Sequence, residues 1–205
     1  SKIRGSTIQT PFGKVLPTYH PSSVLREYTL RPILIADVEK AAKERAYPDV
    51  RRPQRFIHIE PDFADIQNFY RQYIAPSDAL STDVETIGTQ ITCIGLSPSP
   101  DRALVIPFYD PTRPGGNYWA TTEEEVRVWK FLRRLFKEPR ANIGQNFLFD
   151  ARFLWRSYGI PVLGMRGGDD TMLMHHSLQP EMNKGLAFLG SIYTSEAPWK
   201  LERRN

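Results

Sequence analysis

The sequence has little cysteine, little histidine and no long apolar run. Cys93 is the only cysteine among 205 residues, which excludes a disulfide framework and any zinc site that needs several cysteines. No stretch reaches the roughly 18 to 20 consecutive apolar residues of a membrane-spanning helix, and no signal-peptide pattern follows the first residue. These absences predict a protein of a reducing, cytoplasmic compartment with no membrane partner.

The residues that are present are typical of a globular chain. Hydrophobic residues make up 40% and charged residues 24% of the sequence, and a chain of this length buries about 70% of its unfolded surface without a metal or a disulfide. The formal net charge of +4 is uneven, because residues 1–55 carry 11 Lys and Arg against 5 Asp and Glu. A basic first quarter suits phosphate contact, and an ordinary solvated surface explains it equally well.

Residues 1–46 predict a small segment of mixed structure, and residues 47–54 predict a linker. A short strand ends at Leu16, before Pro17, and a helix begins at Pro21. A longer helix is predicted over residues 31–46, where apolar side chains recur at helical spacing: Leu34, Ile35, Val38 and Ala42. Two prolines and two arginines between residues 47 and 53 break this helix, so we place a domain boundary there.

The pattern from residue 55 to residue 205 predicts a mixed α/β domain. Strands are predicted over residues 55–59, 79–85, 91–96, 103–108 and 142–145. Helices are predicted to begin at residues 61–62 and 121–122 and to cover residues 147–158, 171–178 and 186–193. Three successive strands joined by short turns predict an antiparallel meander, and the strands and helices that follow it complete a mixed α/β layout.

Two carboxylates lie at the end of the strand predicted over residues 79–85. Asp83 and Glu85 are two residues apart, so both side chains leave the same face of the sheet. Adjacent carboxylates repel each other and are costly in an apolar strand unless a cation neutralises them. Ligands that are all oxygen suit Mg²⁺ or Mn²⁺ rather than zinc. The alternative is a strand that runs out into solvent, where both acids are simply hydrated.

A third carboxylate belongs to the first turn of the helix predicted over residues 147–158. Asp150 lies one turn after Asn146, so both can face the strand ends, although an acid near a helix N-terminus is favourable in itself. A strand-borne Asp-x-Glu and a later helix-borne Asp are the minimum set for a two-metal phosphodiester hydrolase.

Three segments carry a resemblance to a known family. Asp83-Val84-Glu85-Thr86, the segment from Gly144 to Asp150, and Asp170-Thr171-Met172-Leu173 resemble the ordered motifs of the DEDD (DnaQ-like) 3′–5′ exonucleases. The resemblance covers residues 55–205 and is strongest to the proofreading domain of family A DNA polymerases. It implies an RNase H-like mixed sheet flanked by helices, two Mg²⁺ or Mn²⁺ ions, and hydrolysis at the 3′ end of single-stranded DNA.

The resemblance also assigns roles to individual residues. Asp83, Glu85 and Asp150 would be catalytic residues and metal ligands, with Glu85 also near the terminal 3′-hydroxyl. Thr86 and Asn146 would contact the substrate strand, whereas Asp170 matches a position that is usually structural.

The sequence departs from the family at its last motif. The family requires a fourth carboxylate in a late Tyr-x-x-x-Asp or His-x-x-x-x-Asp motif, but no Asp follows Asp170, and Ala197 stands four residues after Tyr193. We expect these 205 residues to be a piece of a longer glycosylase- or polymerase-type protein of a bacterial or phage-infected cell. The last motif would then lie beyond Asn205, and a polymerase domain would belong to the same chain. The alternative function is a catalytically silent DNA-binding or scaffolding module.

Residues 1–46 carry a second resemblance. Arg4-Gly5, the segment from Gly13 to Arg26, and Asp37 resemble the C-terminal end of the family 4-type uracil-DNA glycosylases, which implies a partial α/β glycosylase-like segment. By this resemblance His20 would contact uracil, and Arg26 would meet a DNA phosphate. The alternative for His20 is a structural histidine with its hydrogen bonds satisfied in a proline-flanked turn. A uracil-recognition remnant is therefore a third functional hypothesis.

Two other features have simpler interpretations. Six basic residues recur in the region of the helix that begins at residues 121–122: Arg127, Lys130, Arg133, Arg134, Lys137 and Arg140. We interpret this series as a solvated helix face, with contact along a DNA strand as the less favoured alternative. Cys93 lies in an apolar strand and is predicted to be a buried structural thiol.

Overall fold

The computed structural model describes residues 3–162 and 168–197. In chain order its strands and helices are β1 (Ile8–Thr10), β2 (Gly13–Val15), α1 (Pro21–Arg26), α2 (Arg31–Glu44), β3 (Phe56–His58), α3 (Phe63–Phe69), β4 (Ala79–Ile87), β5 (Gln90–Ser99), β6 (Arg102–Pro107), α4 (Thr122–Leu135), β7 (Ala141–Gly144), α5 (Phe147–Tyr158), β8 (Gly168–Asp170), α6 (Thr171–Leu178) and α7 (Leu186–Tyr193). None of the helices among the described residues has both the length and the apolar character needed to cross a membrane.

A six-stranded mixed sheet forms the centre of the fold. Its strand order is β3-β6-β5-β4-β7-β8, with β4, β5 and β6 antiparallel and the outer pairs β3–β6, β4–β7 and β7–β8 parallel. The predicted antiparallel meander is therefore confirmed, as is the mixed α/β class. Strands β1 and β2 form a separate antiparallel pair.

The chain divides into two compact units. One contains Ser1–Pro53 together with Met172–Asn205, and the other contains Gln54–Thr171. The six-stranded sheet belongs to the second unit, whereas α7 clusters with the N-terminal segment, an association that the sequence did not predict. The glycosylase-like and exonuclease-like identities given to residues 1–46 and 55–205, and the linker at 47–54, stay predictions.

The core of the second unit lies between the sheet and its helices. Along β4 the buried residues alternate with exposed ones, and along β6 they alternate with half-buried ones. The buried residues of the meander meet the apolar faces of α3, α4 and α5. Trp129 of α4 stacks on both Phe108 and Tyr158, with ring centroids 4.0 Å and 4.1 Å apart. This stack fixes α4 beside the C-terminal end of α5.

Local capping explains where the helices of the second unit begin. The Asp62 side chain accepts a hydrogen bond from the Asp65 N–H, and the Asp65 side chain accepts one from the Asp62 N–H, which forms a reciprocal capping box. The Thr121 hydroxyl accepts from the Glu124 N–H at the start of α4. Both helix starts therefore lie within a residue or two of their predicted positions.

A buried ion pair organises the first unit. Arg4 donates to Asp37 at 2.7 Å and to the Ser191 hydroxyl at 2.5 Å, and Thr18 donates to the other oxygen of Asp37 at 2.6 Å. Gly5 adopts a φ of 71°, and a Cβ on it would lie 2.8 Å from the Asp37 carboxylate. The chain around Arg4, helix α2 and helix α7 therefore meet at the Arg4–Asp37 ion pair.

This ion pair also corrects the predicted apolar face of α2. Ile35 and Val38 are 41% and 56% exposed, whereas Ile33 and Asp37 are buried. The apolar face predicted from helical spacing was wrong, because α2 is held by the ion pair of Asp37 with Arg4. Apolar spacing carries no information about such a charged contact.

Replacing Asp37 with Ala is expected to open the first unit. The change leaves the buried Arg4 guanidinium without its counter-ion, which costs about 3 kcal/mol or more. We expect hydrogen–deuterium exchange, read by mass spectrometry, to rise by about a hundredfold in peptides from α2 and α7.

Glu39→Ala is the matched control, because Glu39 is an exposed acid on the same helix. Equal exchange in the two variants would show that the Arg4–Asp37 pair does not hold this unit.

Candidate active site

The two strand carboxylates share the exposed face of β4. Residues along this strand alternate between buried and exposed, with Thr82 and Val84 buried and Asp83 and Glu85 exposed. The prediction that both acids leave the same face is therefore confirmed. Gly95 lies directly opposite Asp83 on β5, so β5 places no side chain over the Asp83 carboxylate.

Thr86 lies beyond a local irregularity in β4. The pairing register with β5 shifts between Glu85 and Thr86, which is typical of a β-bulge. Thr86 is half-buried and follows the two acids along the strand, and its substrate contact stays a prediction.

The turn from β7 into α5 is tight and is held by Asp170. A Cβ on Gly144 would lie 2.3 Å from the Phe147 ring, so glycine is required there. Asn146 takes the left-handed conformation, with φ 55° and ψ 44°. The two oxygens of Asp170 accept hydrogen bonds from the N–H groups of Asn146 and Phe147, at 3.0 Å and 2.8 Å, which satisfies the first backbone donors of α5.

This turn places Asp150 against the middle of β4. Asp150 is only 4% exposed, and its Oδ1 accepts a hydrogen bond of 2.9 Å from the N–H of Val84. Since Val84 stands between Asp83 and Glu85, the strand-borne pair and the helix-borne acid converge on the same point of the sheet.

The three carboxylates interact electrostatically. Burial raises the pKa of Asp150 to about 6, the Val84 N–H opposes this increase, and the charges of Asp83 and Glu85 add to it. Burial also raises the pKa of Asp83, and the Glu85 charge adds to that increase. Asp83 lies on the exposed face, so water screens its repulsion and the buried Asp150 carries the greater cost.

The donor set fits a divalent cation in its chemistry. Three carboxylates that destabilise one another are the hard oxygen ligands that Mg²⁺ and Mn²⁺ take. As arranged, no group of three or more His, Cys, Asp or Glu side chains within residues 3–162 and 168–197 is placed so that it could hold a metal ion. A metal held by Asp83, Glu85 and Asp150 together therefore requires their carboxylates to lie closer to one another than they do in this structure.

Cys93 lies beside the same acids, opposite Glu85. It is paired with Glu85 across the β4–β5 ladder and is only half-buried, so the predicted full burial is wrong. Burial raises the pKa of its thiol, and the charges of Glu85 and Asp83 raise it further. The thiolate is therefore disfavoured, which is consistent with a structural thiol.

A groove of about 450 Å³ runs along the outer side of α5, next to Asp150 in the chain. Thr89, in the turn between β4 and β5, contributes to its lining. The remaining lining includes two aromatic and two basic side chains: Phe149, Phe153, Arg152 and Arg156. Sequence reasoning missed this groove, although its signal was the helical spacing of these four residues.

The remaining predicted site residues lie at the ends of helices. Asn146 is exposed at the N-terminus of α5. In the first unit, His20 caps α1, because its Nδ1 accepts a hydrogen bond of 3.1 Å from the Ser22 N–H, and Arg26 is the exposed last residue of that helix. The uracil and phosphate contacts assigned to His20 and Arg26 stay predictions.

Comparisons with known proteins identify the fold. No protein-family model and no curated protein match the chain. Among solved structures, the EXO domain of Aedes aegypti Nibbler is 13% identical with a TM-score of 0.50, over 69% of this chain and 69% of that one. The EXD2 exonuclease domain soaked in Mg and dGMP is 13% identical with a TM-score of 0.44, over 66% and 68% of the two chains.

Brucella melitensis NrnC is 18% identical with a TM-score of 0.41, and the match spans 68% of this chain and 60% of NrnC. At 13% identity, the likeness to the Nibbler EXO domain shows the fold alone. The chain has an RNase H-like mixed α/β fold, with a six-stranded mixed sheet flanked by helices.

Replacing Asp150 with Asn is expected to stabilise the metal-free protein at neutral pH. The folded-state pKa of Asp150 lies above its ordinary value of 3.8, at about 6, so its favourable contribution exists below pH 4 and is lost as the pH rises through 6. Near pH 7.5, with a chelator present, we expect Asp150→Asn to raise the free energy of unfolding by up to about 3 kcal/mol.

Urea denaturation from pH 4 to pH 8 measures this difference. It should grow between pH 4 and pH 6.5 and then level off. A difference that does not change with pH would contradict the electrostatic account of Asp150.

Replacing Asp170 with Ala is expected to loosen the β7–α5 turn. The change removes the acceptor for two N–H groups, at a cost of about 1 to 2 kcal/mol by analogy with helix caps. Urea denaturation measures the cost, and Asp169→Ala, an exposed acid one residue earlier, is the matched control. An equal effect of the two substitutions would show that the cap does not stabilise the turn.

Proposed function

We propose that the second unit is a divalent-metal-dependent nuclease, and specifically a 3′–5′ exonuclease acting on the 3′ ends of single-stranded DNA. The observation that carries the proposal is the hydrogen bond from the Val84 N–H to Asp150, which brings a helix-borne carboxylate to the strand that bears Asp83 and Glu85. The exonuclease-domain fold supports the reaction class. The polarity and the DNA substrate come from the motif resemblance.

Asp83, Glu85 and Asp150 would hold the metal ions, Mg²⁺ or Mn²⁺. When bound, two such ions supply activation of the attacking water and stabilisation of the leaving oxygen. The burial of Asp150 keeps this carboxylate in one orientation, and the exposed positions of Asp83 and Glu85 leave the approach from solvent open.

The chain also offers groups that would position a nucleic-acid strand. Asn146 is exposed at the start of α5, and the groove along α5 combines aromatic rings with two arginines. Aromatic side chains stack on bases, and arginine pairs with phosphate. We extend the proposal to a proofreading or repair role beside a polymerase domain of a longer chain, on the motif resemblance alone.

One observation favours a second candidate, a catalytically silent nucleic-acid-binding module. Within the described residues the carboxylates do not form a group that could hold a metal ion as they stand. In such a module the acids would remain unligated, and strand binding would not depend on metal.

Replacing Asp83 with Ala separates the two candidates. If the proposal is right, the unaltered protein releases mononucleotides from a labelled single-stranded oligonucleotide in Mg²⁺ or Mn²⁺, starting at the 3′ end. Asp83→Ala should lower that rate by at least a hundredfold, because loss of a metal ligand removes the charge stabilisation on which the transition state depends.

Asp78→Ala is the matched control, since Asp78 is an exposed acid immediately before the same strand. It should retain the rate. Equal rates in the Asp83 and Asp78 variants, or no release by the unaltered protein in either metal, would favour the silent module.

A further inference from the structure

A groove of about 540 Å³ between α3 and α4 is lined by positive charge. Five basic side chains of the α4 segment line it, with no acid among the lining residues: Arg127, Lys130, Arg133, Arg134 and Lys137. All five are exposed, and Phe63 of α3 adds a half-buried aromatic surface. We define these five cations and Phe63 as the basic groove.

The basic groove has no internal counter-charge. Among the side chains that the structure describes, none of its five cations forms an ion pair or a side-chain hydrogen bond. The nearby acid Glu138 is engaged by Arg140 and by the Tyr70 hydroxyl. Like charges that converge without a partner repel one another, and an external anion relieves that repulsion.

The helix dipole does not account for the series. Favourable interaction of cations with a helix C-terminus is confined to the last turn, and α4 ends at Leu135. Arg127 and Lys130 lie two turns and more than one turn before that end, so their alignment with Arg134 and Lys137 requires another explanation.

The dimensions suit an extended polyanion better than a single anion. Residues 127 to 137 span about 15 Å along a helix, and a nucleic-acid strand in a duplex carries one phosphate per roughly 3.4 Å of its axis. Three of the five cations are arginines, whose planar fork matches phosphate oxygens. The Phe63 ring offers a flat apolar surface to a sugar or a base.

We propose that the basic groove binds the sugar–phosphate backbone of a nucleic-acid strand, at a site separate from the three carboxylates. The choice of nucleic acid among polyanions rests on the proposed function, and the contact is to the backbone, so it is independent of sequence. The affinity must then fall as the salt concentration rises, with a slope set by the number of phosphates that the groove neutralises.

The test is fluorescence anisotropy with a labelled 12-nucleotide single-stranded DNA, in a chelator that prevents cleavage, over a series of salt concentrations. Lys130→Gln/Arg134→Gln should weaken binding by about tenfold. It should also reduce the slope of log K against log salt by about 1.4, which corresponds to two phosphate contacts at roughly 0.7 each.

Lys43→Gln/Arg45→Gln is the matched control, because it removes two exposed cations from the α2 region. It should leave the affinity within about twofold. Equal losses of affinity in the two double variants, or no loss in either, would overturn the proposal. Equally tight binding of a polyglutamate of matching charge would also overturn it, because it would indicate an acidic protein partner.

A small chromogenic phosphodiester, thymidine 5′-(4-nitrophenyl phosphate), separates this site from catalysis because it is too short to reach along α4. The groove variant should hydrolyse it at the unaltered rate. If the unaltered protein releases no mononucleotides from the oligonucleotide in Mg²⁺ or Mn²⁺ yet the groove variant still loses affinity, the nuclease proposal fails and the binding groove stands.

Discussion

The hydrogen bond between the Val84 N–H and the Asp150 carboxylate is the contact on which the candidate site depends. It joins α5 to β4 at the residue that separates Asp83 from Glu85, and so it concentrates three acids at one position of the sheet. The same contact has a cost, because a buried carboxylate beside two others resists ionisation, and the pKa of Asp150 rises to about 6. A protein that keeps such an arrangement at neutral pH gains from a cation that neutralises it.

The parts around this contact serve to hold it in place. Gly144 allows the chain to turn sharply from β7 into α5, and Asp170 fixes that turn by accepting from two backbone N–H groups. Trp129, stacked against Tyr158, secures the other end of α5. Helix α5 therefore fixes the Asp150 carboxylate, whereas β4 leaves the Asp83 and Glu85 carboxylates accessible to solvent.

Most of the secondary structure could be predicted from the sequence, because apolar alternation and capping residues are local signals. The bounds of α5, α6 and α7 agree with the prediction, and β4 runs only two residues beyond its expected end. The buried face of α2 could not be predicted, because it depends on Arg4, 33 residues from Asp37. Likewise the motif spacing indicated which acids matter, but the link from Asp150 to a backbone N–H 66 residues away is a property of the folded chain. The basic residues of α4 were visible in the sequence, whereas the groove that they line with α3 was not.

The most direct test of this account is a crystal structure of the protein grown with Mn²⁺ and a deoxynucleoside monophosphate, with anomalous scattering recorded at the manganese edge. The account predicts anomalous peaks within ligand distance of Asp83, Glu85 and Asp150. Saturating Mn²⁺ that leaves these carboxylates unligated, or that binds only elsewhere, would contradict the claim that the three acids form a metal-dependent nuclease site.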